Sequence, residues 1–156
     1  MKPNIEISDI HLREVATLLN TLLADEYVLY TKTRSAHWNV QGLGFMELHS
    51  FFQTQYEALD IIVDDVAERV RSLGHFALGS LKSFLSVTHM LETESDGSQK
   101  QIIQALINDH ETIIRMIRNE LTAISDKYKD LGTTDFLTGL MKQHEKMTWM
   151  LRSYLG

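Results

Sequence analysis

The stretch HWNVQGLGFMELHSFFQTQYEALDIIVDDVAER, residues 37–69, decides how this chain is read. Past a turn marked by Gly42 and Gly44, apolar residues recur at helical spacing through Leu48, Phe52, Leu59, Ile62, Val63 and Val66. The same stretch carries His37, His49, Asp64 and Glu68. Asp64 and Glu68 lie four residues apart, and so on one helix face. Imidazoles together with such a carboxylate pair suit a divalent transition metal, with iron or zinc the leading candidates. The spacing also limits where an ion could sit. His49 and Asp64 are 15 residues apart, which on one continuous helix is roughly 22 Å of axial rise. One chain cannot bring them to a common ion, so sharing requires two chains.

Outward from this stretch the helical pattern continues in both directions. A first helix is expected to start at Ser8 or Asp9, either of which can cap it, and to run to about Ala36, with Val15, Leu18, Leu19, Leu22 and Leu29 on its apolar stripe. The second helix is expected over Phe45–Leu73, ending at Gly74. A long crossover follows, with room for one short helix around Ser80–Val87. Ser98 and Gln101 form a capping-box pattern for a third long helix. Thr134 is the expected N-cap of a fourth, which carries Phe136, Leu137, Leu140, Met141, Met147 and Leu151. No strand-like alternation is present. Two long helices, a long crossover and two more long helices predict an all-α chain, a ferritin-like four-helix bundle with a short extra helix in the crossover between helices two and three. The long link lets the third helix run parallel to the second, so the expected order is up-down-down-up. Residues 1–156 read as a single domain.

Composition narrows the function. Asp and Glu exceed Lys and Arg to give a formal net charge of −6, which argues against a general nucleic-acid binder. The absence of cysteine excludes disulfides and thiolate ligands, so any metal must be held by N and O donors. The N-terminal MKPNIEIS lacks an apolar signal core, and no apolar run approaches membrane-spanning length. A cytoplasmic protein with no membrane partner is expected.

Taken singly, the candidate ligands are ordinary. Carboxylates spaced like Asp64 and Glu68 commonly decorate a solvated surface, and Asp60 and Asp65 fit that reading. A histidine near a helix end, as His37 is, commonly caps or packs. Their arrangement says more. The turn at Gly42 and Gly44 folds the second helix back on the first and brings His37 near His49. Pairing the second helix antiparallel with its own copy, about a midpoint near Glu57 or Ala58, sets His37 and His49 opposite the partner's Asp64 and Glu68. Symmetry then creates two such sites per dimer. Gln53, one turn beyond His49, is available to the same cluster. A di-iron site within one chain would instead use Glu-x-x-His motifs, and none is present. His110 and His144 fall within apolar stripes and read as packed, hydrogen-bonded side chains. There is no phosphate loop, zincin motif or nucleophile elbow. Met147 and Met150, near Trp149, read as packing.

With these residues placed, the chain resembles the Dps family, the mini-ferritins also called DNA-binding proteins from starved cells. The resemblance spans the chain and is sharpest in H-W-N-V-x-G at 37–42, F-M-E-L-H at 45–49 and D-D-V-A-E-R at 64–69. It implies a homo-oligomer, a hollow dodecamer with ferroxidase centres at its two-fold dimer interfaces. It also implies Fe²⁺ oxidation, preferentially by hydrogen peroxide rather than oxygen, with Fe³⁺ stored as mineral. By resemblance, His37 and His49 are ligands from one subunit, and Asp64 and Glu68 from the partner, with Glu68 placed to bridge two irons. Zinc is a possible substitute ion. Trp38 resembles the family tryptophan that intercepts oxidising equivalents, and interface packing is an equal reading of it. Asp126 and Asp130 are the corresponding choice for an iron-entry pore, with solvated surface as the alternative.

One departure matters. The family commonly has an acidic residue one turn after His49, and here Gln53 stands instead. A neutral amide offers a carbonyl oxygen but no charge, so Gln53 is expected to be a weak ligand and the second iron position loose. DNA-binding members often carry lysine-rich tails. Ahead of the first helix this sequence offers only Lys2, so no DNA binding is expected at neutral pH and moderate salt. A nucleoid-binding shell that protects DNA physically is the alternative function.

Overall fold

The computed structural model describes residues 3–94 and 97–156, which form helices and no strand among the described residues. The helices are α1 (Asp9–Asn39), α2 (Phe45–Ser72), the short α3 (Leu81–Val87), α4 (Gln99–Thr122) and α5 (Leu131–Arg152), with a π-helical turn at Ala123–Lys127 between the last two. α1 packs mainly on α2 and α4 on α5, and α1 also meets α3 and α4. This is the expected ferritin-like four-helix bundle with its extra crossover helix.

The sequence places most of these boundaries. The Ser8 side chain accepts a hydrogen bond from His11 N and caps α1. Gly74 takes φ +85° after α2, and His75 N donates to Val70 O while Gly74 N donates to Arg71 O, the bonds that close a helix C-terminus. Ser80 caps α3, and Ser98 and Gln101 form the capping box of α4. The start of α5 differs from expectation. Asp130, not Thr134, is its N-cap, and its side chain accepts from Thr133 N. Burial decides this: the Asp130 carboxylate is 2 % exposed. It also binds the Arg69 guanidinium of α2 at 3.0 Å, so the cap is tied to a neighbouring helix.

The core is one apolar cluster drawn from the long helices, with Leu19, Leu22, Leu29, Phe52, Leu59, Ile62, Ile113, Ile117, Leu137 and Leu151 among its fully buried members. Burying each such side chain is worth about 1.5–3 kcal/mol. Several ionisable groups lie inside it. Asp25 anchors the crossover, accepting from the Thr88 hydroxyl and from His89 N, both at 2.6 Å. Lys32 pairs with Asp109 of α4 and also donates to Leu91 O. Burial raises the Asp109 carboxyl above its usual range, and the Lys32 ammonium opposes that shift. His110 and His144, expected to be partly buried and hydrogen-bonded, are fully buried and bonded to each other.

Candidate metal centre

The turn between α1 and α2 places the two histidines. Gly42 and Gly44 take φ of +101° and +73°, a region where a side chain would be strained. The Gln99 amide of α4 donates to Gln41 O at 2.7 Å and to Leu43 O at 2.8 Å, fastening the turn to the bundle. α2 therefore doubles back at once, and His49 lands beside the last turn of α1.

There His37 and His49 form a reciprocal pair. His37 Nδ1 lies 2.7 Å from His49 O, and His49 Nδ1 lies 2.8 Å from His37 O. The His37 carbonyl belongs to the final turn of α1, where the helix supplies no donor of its own. The rings stack with centroids 3.7 Å apart. A carbonyl only accepts, so each Nδ1 must carry the proton. In the neutral rings both Nε2 lone pairs are then left free, the arrangement in which metal-binding histidines are held. Tyr56 meets His37 edge-on, and Phe45 lies against His49, so the pair has aromatic walls. His37 is buried and His49 half-buried.

The carboxylates lie elsewhere on α2. Asp64 and Glu68 are exposed and one turn apart, several turns beyond His49. With His49, Gln53, Glu57 and Asp60 they make one polar stripe along the helix, recurring at three or four residues. Among the described residues, no three His, Asp or Glu side chains are grouped to hold an ion. The structure thus joins His37 to His49 and keeps both apart from Asp64 and Glu68 within the chain.

Gln53 is exposed, and its Nε2 donates to Glu57 Oε1 at 2.8 Å. Its amide oxygen is accordingly the atom left for a ligand. Sequence reasoning missed the part played by Glu57, although the four-residue spacing signals such a bond. It also missed Arg34, whose guanidinium lies over Tyr30, Tyr56 and Trp38. Beside the stripe, large apolar side chains face outward: Trp38 is 63 % exposed, Leu43 96 %, Met46 64 % and Ile61 65 %.

Of the two candidate pore residues, Asp130 is committed elsewhere. Both its oxygens are used, one by Thr133 N and Arg69, the other by the Thr133 hydroxyl. Asp126 remains exposed, with its Oδ1 accepting from the Ser125 hydroxyl.

Comparison with known proteins places this geometry in context. A ferritin-like domain family model matches residues 16–156. An uncharacterised low temperature-induced protein of Nostoc sp. is 42% identical over 97% of this chain and 86% of its own length. A DNA protection during starvation protein of Brevibacillus brevis is 31% identical, covering 90% of this chain and 94% of its own. The crystal structure of a Vibrio cholerae Dps protein, described as a member of a broad superfamily of ferritin-like diiron-carboxylate proteins, superposes with a TM-score of 0.89. It is 28% identical and covers 99% of this chain and 100% of its own. No described helix is long and apolar enough to cross a membrane.

Proposed function

We propose a function from the premise that this chain belongs to the Dps group of the ferritin-like family: it is a ferroxidase and iron-storage protein whose centres are shared between two subunits. The observation that carries this reading is the reciprocal His37–His49 pair, which fixes both tautomers and leaves the Nε2 of each of two stacked rings to a ligand. An antiparallel partner α2 would bring its Asp64 and Glu68 to that pair, with the exposed Trp38, Leu43, Met46 and Ile61 covered in the same contact. The whole chain, 1–156, acts as one domain, assembled into a closed homo-oligomer of the dodecameric kind.

Iron is here the substrate. The imidazoles favour Fe²⁺ on arrival, and the hard carboxylate oxygens favour the Fe³⁺ product. Two Fe²⁺ each give one electron to hydrogen peroxide. The peroxide O–O bond breaks to give water, and no hydroxyl radical is released. With water, two Fe²⁺ and one peroxide yield two FeOOH units and four protons. The net charge of −6 helps gather cations. Zinc, with the same N and O preferences, would compete for the centre. The setting is the cytoplasm, with peroxide the preferred oxidant over oxygen.

The relatives named for DNA protection suggest a second reading, a shell that covers DNA. The acidic balance favours chemical protection, by consuming iron and peroxide, over phosphate contact. A retarded, salt-sensitive DNA band with metal-free protein would favour the second reading. Peroxide-driven Fe²⁺ oxidation in wild type and in a His37→Ala/Glu68→Ala double variant tests the first. The double variant should fall to the uncatalysed rate, and equal rates would remove the ferroxidase assignment.

A further inference from the structure

Away from the α2 stripe, three ionisable side chains from three helices meet inside the bundle. Glu26 of α1, His110 of α4 and His144 of α5 are all 0 % exposed. Glu26 Oε1 stands 2.9 Å from His144 Nε2, and His144 Nδ1 stands 2.9 Å from His110 Nδ1. The three form a line, Glu26–His144–His110, and the residues one helical turn before and after each of them, Leu22, Leu29, Leu106, Ile113, Leu140 and Met147, are buried too. Both Glu26 oxygens, His110 Nε2 and His144 Nε2 have no hydrogen-bond partner among the described residues, so the Glu26–His144 approach is an ionic contact rather than a hydrogen bond.

Proton counting constrains this line. Two Nδ1 atoms facing each other at 2.9 Å cannot both be bare, so one carries a hydrogen. A net charge in an apolar core is expensive, which leaves the neutral unit as the favoured state. Neutrality requires three protons: one on either Glu26 or His144 at their contact, one given by His144 Nδ1 to His110 Nδ1, and one on His110 Nε2. A metal ion fits poorly, because His144 turns its two ring nitrogens toward different partners and the donors do not converge. A fourth proton makes the unit positive wherever it settles. On His110 it also sets N–H against N–H.

We propose that the Glu26–His144–His110 line is a proton-sensitive latch, which joins α1, α4 and α5 while neutral and lets α4 and α5 loosen from α1 when an extra proton enters. Burial, and then the charge of His144, hold the His110 imidazole well below its ordinary value. An opened bundle would accept at about pH 6.5 a proton that the closed one refuses. The closed unit holds three protons, against two in an opened one above about pH 6.5 and four below it. Stability therefore peaks at about pH 6.5 and is lost as pH falls below it, with opening favoured up to about tenfold per pH unit. The other buried charged groups are engaged elsewhere. On α1, Asp25 holds the crossover, Lys32 pairs with Asp109 of α4, and His37 bonds the His49 carbonyl. At the N-cap of α5, Asp130 pairs with Arg69. α2 contributes the neutral Gln55, whose amide donates to Met147 O, and the buried residue of α3 is Phe84.

Hydrogen–deuterium exchange with mass spectrometry on the assembled, metal-free protein reads the latch directly. Between about pH 6.5 and about pH 5, protection corrected for intrinsic rates should fall roughly tenfold or more across residues 102–117 and 137–151. His110→Gln, neutral at every pH, should flatten that dependence. Glu26→Gln removes the charge that balances His144, so both imidazoles are neutral in the closed bundle and the loss below about pH 6.5 should steepen toward about a hundredfold per unit. A wild type whose protection is flat, or a His110→Gln protein with the wild-type slope, overturns the proposal. If His110→Gln does not fold, Glu26→Gln decides, and an unchanged profile overturns the proposal equally.

Discussion

His37 and His49 each hold the other's ring by the backbone: the Nδ1 of either lies within 2.8 Å of the other's carbonyl oxygen. Neither ring can turn without losing its own bond, and each bond fixes the tautomer that exposes Nε2. The pair is thus built before any ion arrives, which lowers the cost of ordering ligands on binding.

His49→Phe keeps a ring stacked between His37 and Phe45 but removes both nitrogens. The variant should fold and assemble. Its peroxide-driven Fe²⁺ oxidation should drop by at least the ~10–100-fold that losing an orienting partner costs a metal site. Stopped-flow absorbance of the ferric product measures this, and an unchanged rate would contradict the assigned role.

Gln53→Glu is expected to strengthen the loose iron position. It replaces the amide that donates to Glu57 with a carboxylate one turn away. Without metal, the like charges should cost about 0.2–0.5 kcal/mol. With metal, the added charge turns one tight and one loose Fe²⁺ into two tight ones. Anaerobic Fe²⁺ titration of both proteins checks this, and identical stoichiometry and affinity would sink it.

Asp130→Ala should cost stability and leave iron entry intact. The change removes the α5 cap and the acceptors of Arg69 Nη2 and the Thr133 hydroxyl, leaving Arg69 its Nε bond to Thr133, a loss of about 2 kcal/mol. The melting temperature should fall while initial Fe²⁺ uptake by the properly assembled protein stays at the wild-type rate. A normal melting temperature with slowed uptake would restore Asp130 to a pore.

Gly44→Ala forces a β-carbon into φ +73° at the residue that caps α2, at a cost of about 1–2 kcal/mol. Beyond its two chain neighbours, the nearest atom to that carbon is Glu47 Oε2 at 3.8 Å, so strain alone should account for the loss. Denaturant titration should show a lower midpoint with an unchanged slope.

Most of the fold was legible because its signals are local. Ser8, Gly74, Ser80 and the Ser98–Gln101 pair act within one turn of helix, and each sits where the sequence put it. Thr134 was misjudged because the cap is chosen by a long-range contact: Arg69, 61 residues earlier, selects Asp130. The polar core was half legible. His110 and His144 lay visibly on apolar stripes. Glu26, four residues after Leu22 and three before Leu29, lay on one too, but its role depends on a histidine from α5. At the candidate centre the sequence carries the residue types and their spacing. The crossed carbonyl bonds depend on how tightly Gln99 draws in the turn, and no spacing rule encodes that.

The central claim is that each centre takes its histidines from one chain and its carboxylates from another. Co-assembling two inactive chains tests it most directly. One carries His37→Ala/His49→Ala and the other Asp64→Asn/Glu68→Gln. In each mixed dimer one site collects every defect and the other collects none. Random pairing at equal ratio should therefore restore about a quarter of the wild-type ferroxidase sites, read as the burst of Fe²⁺ oxidised per chain. If the mixed assemblies form, verified by native mass spectrometry, and stay as inactive as either parent, the shared centre is contradicted.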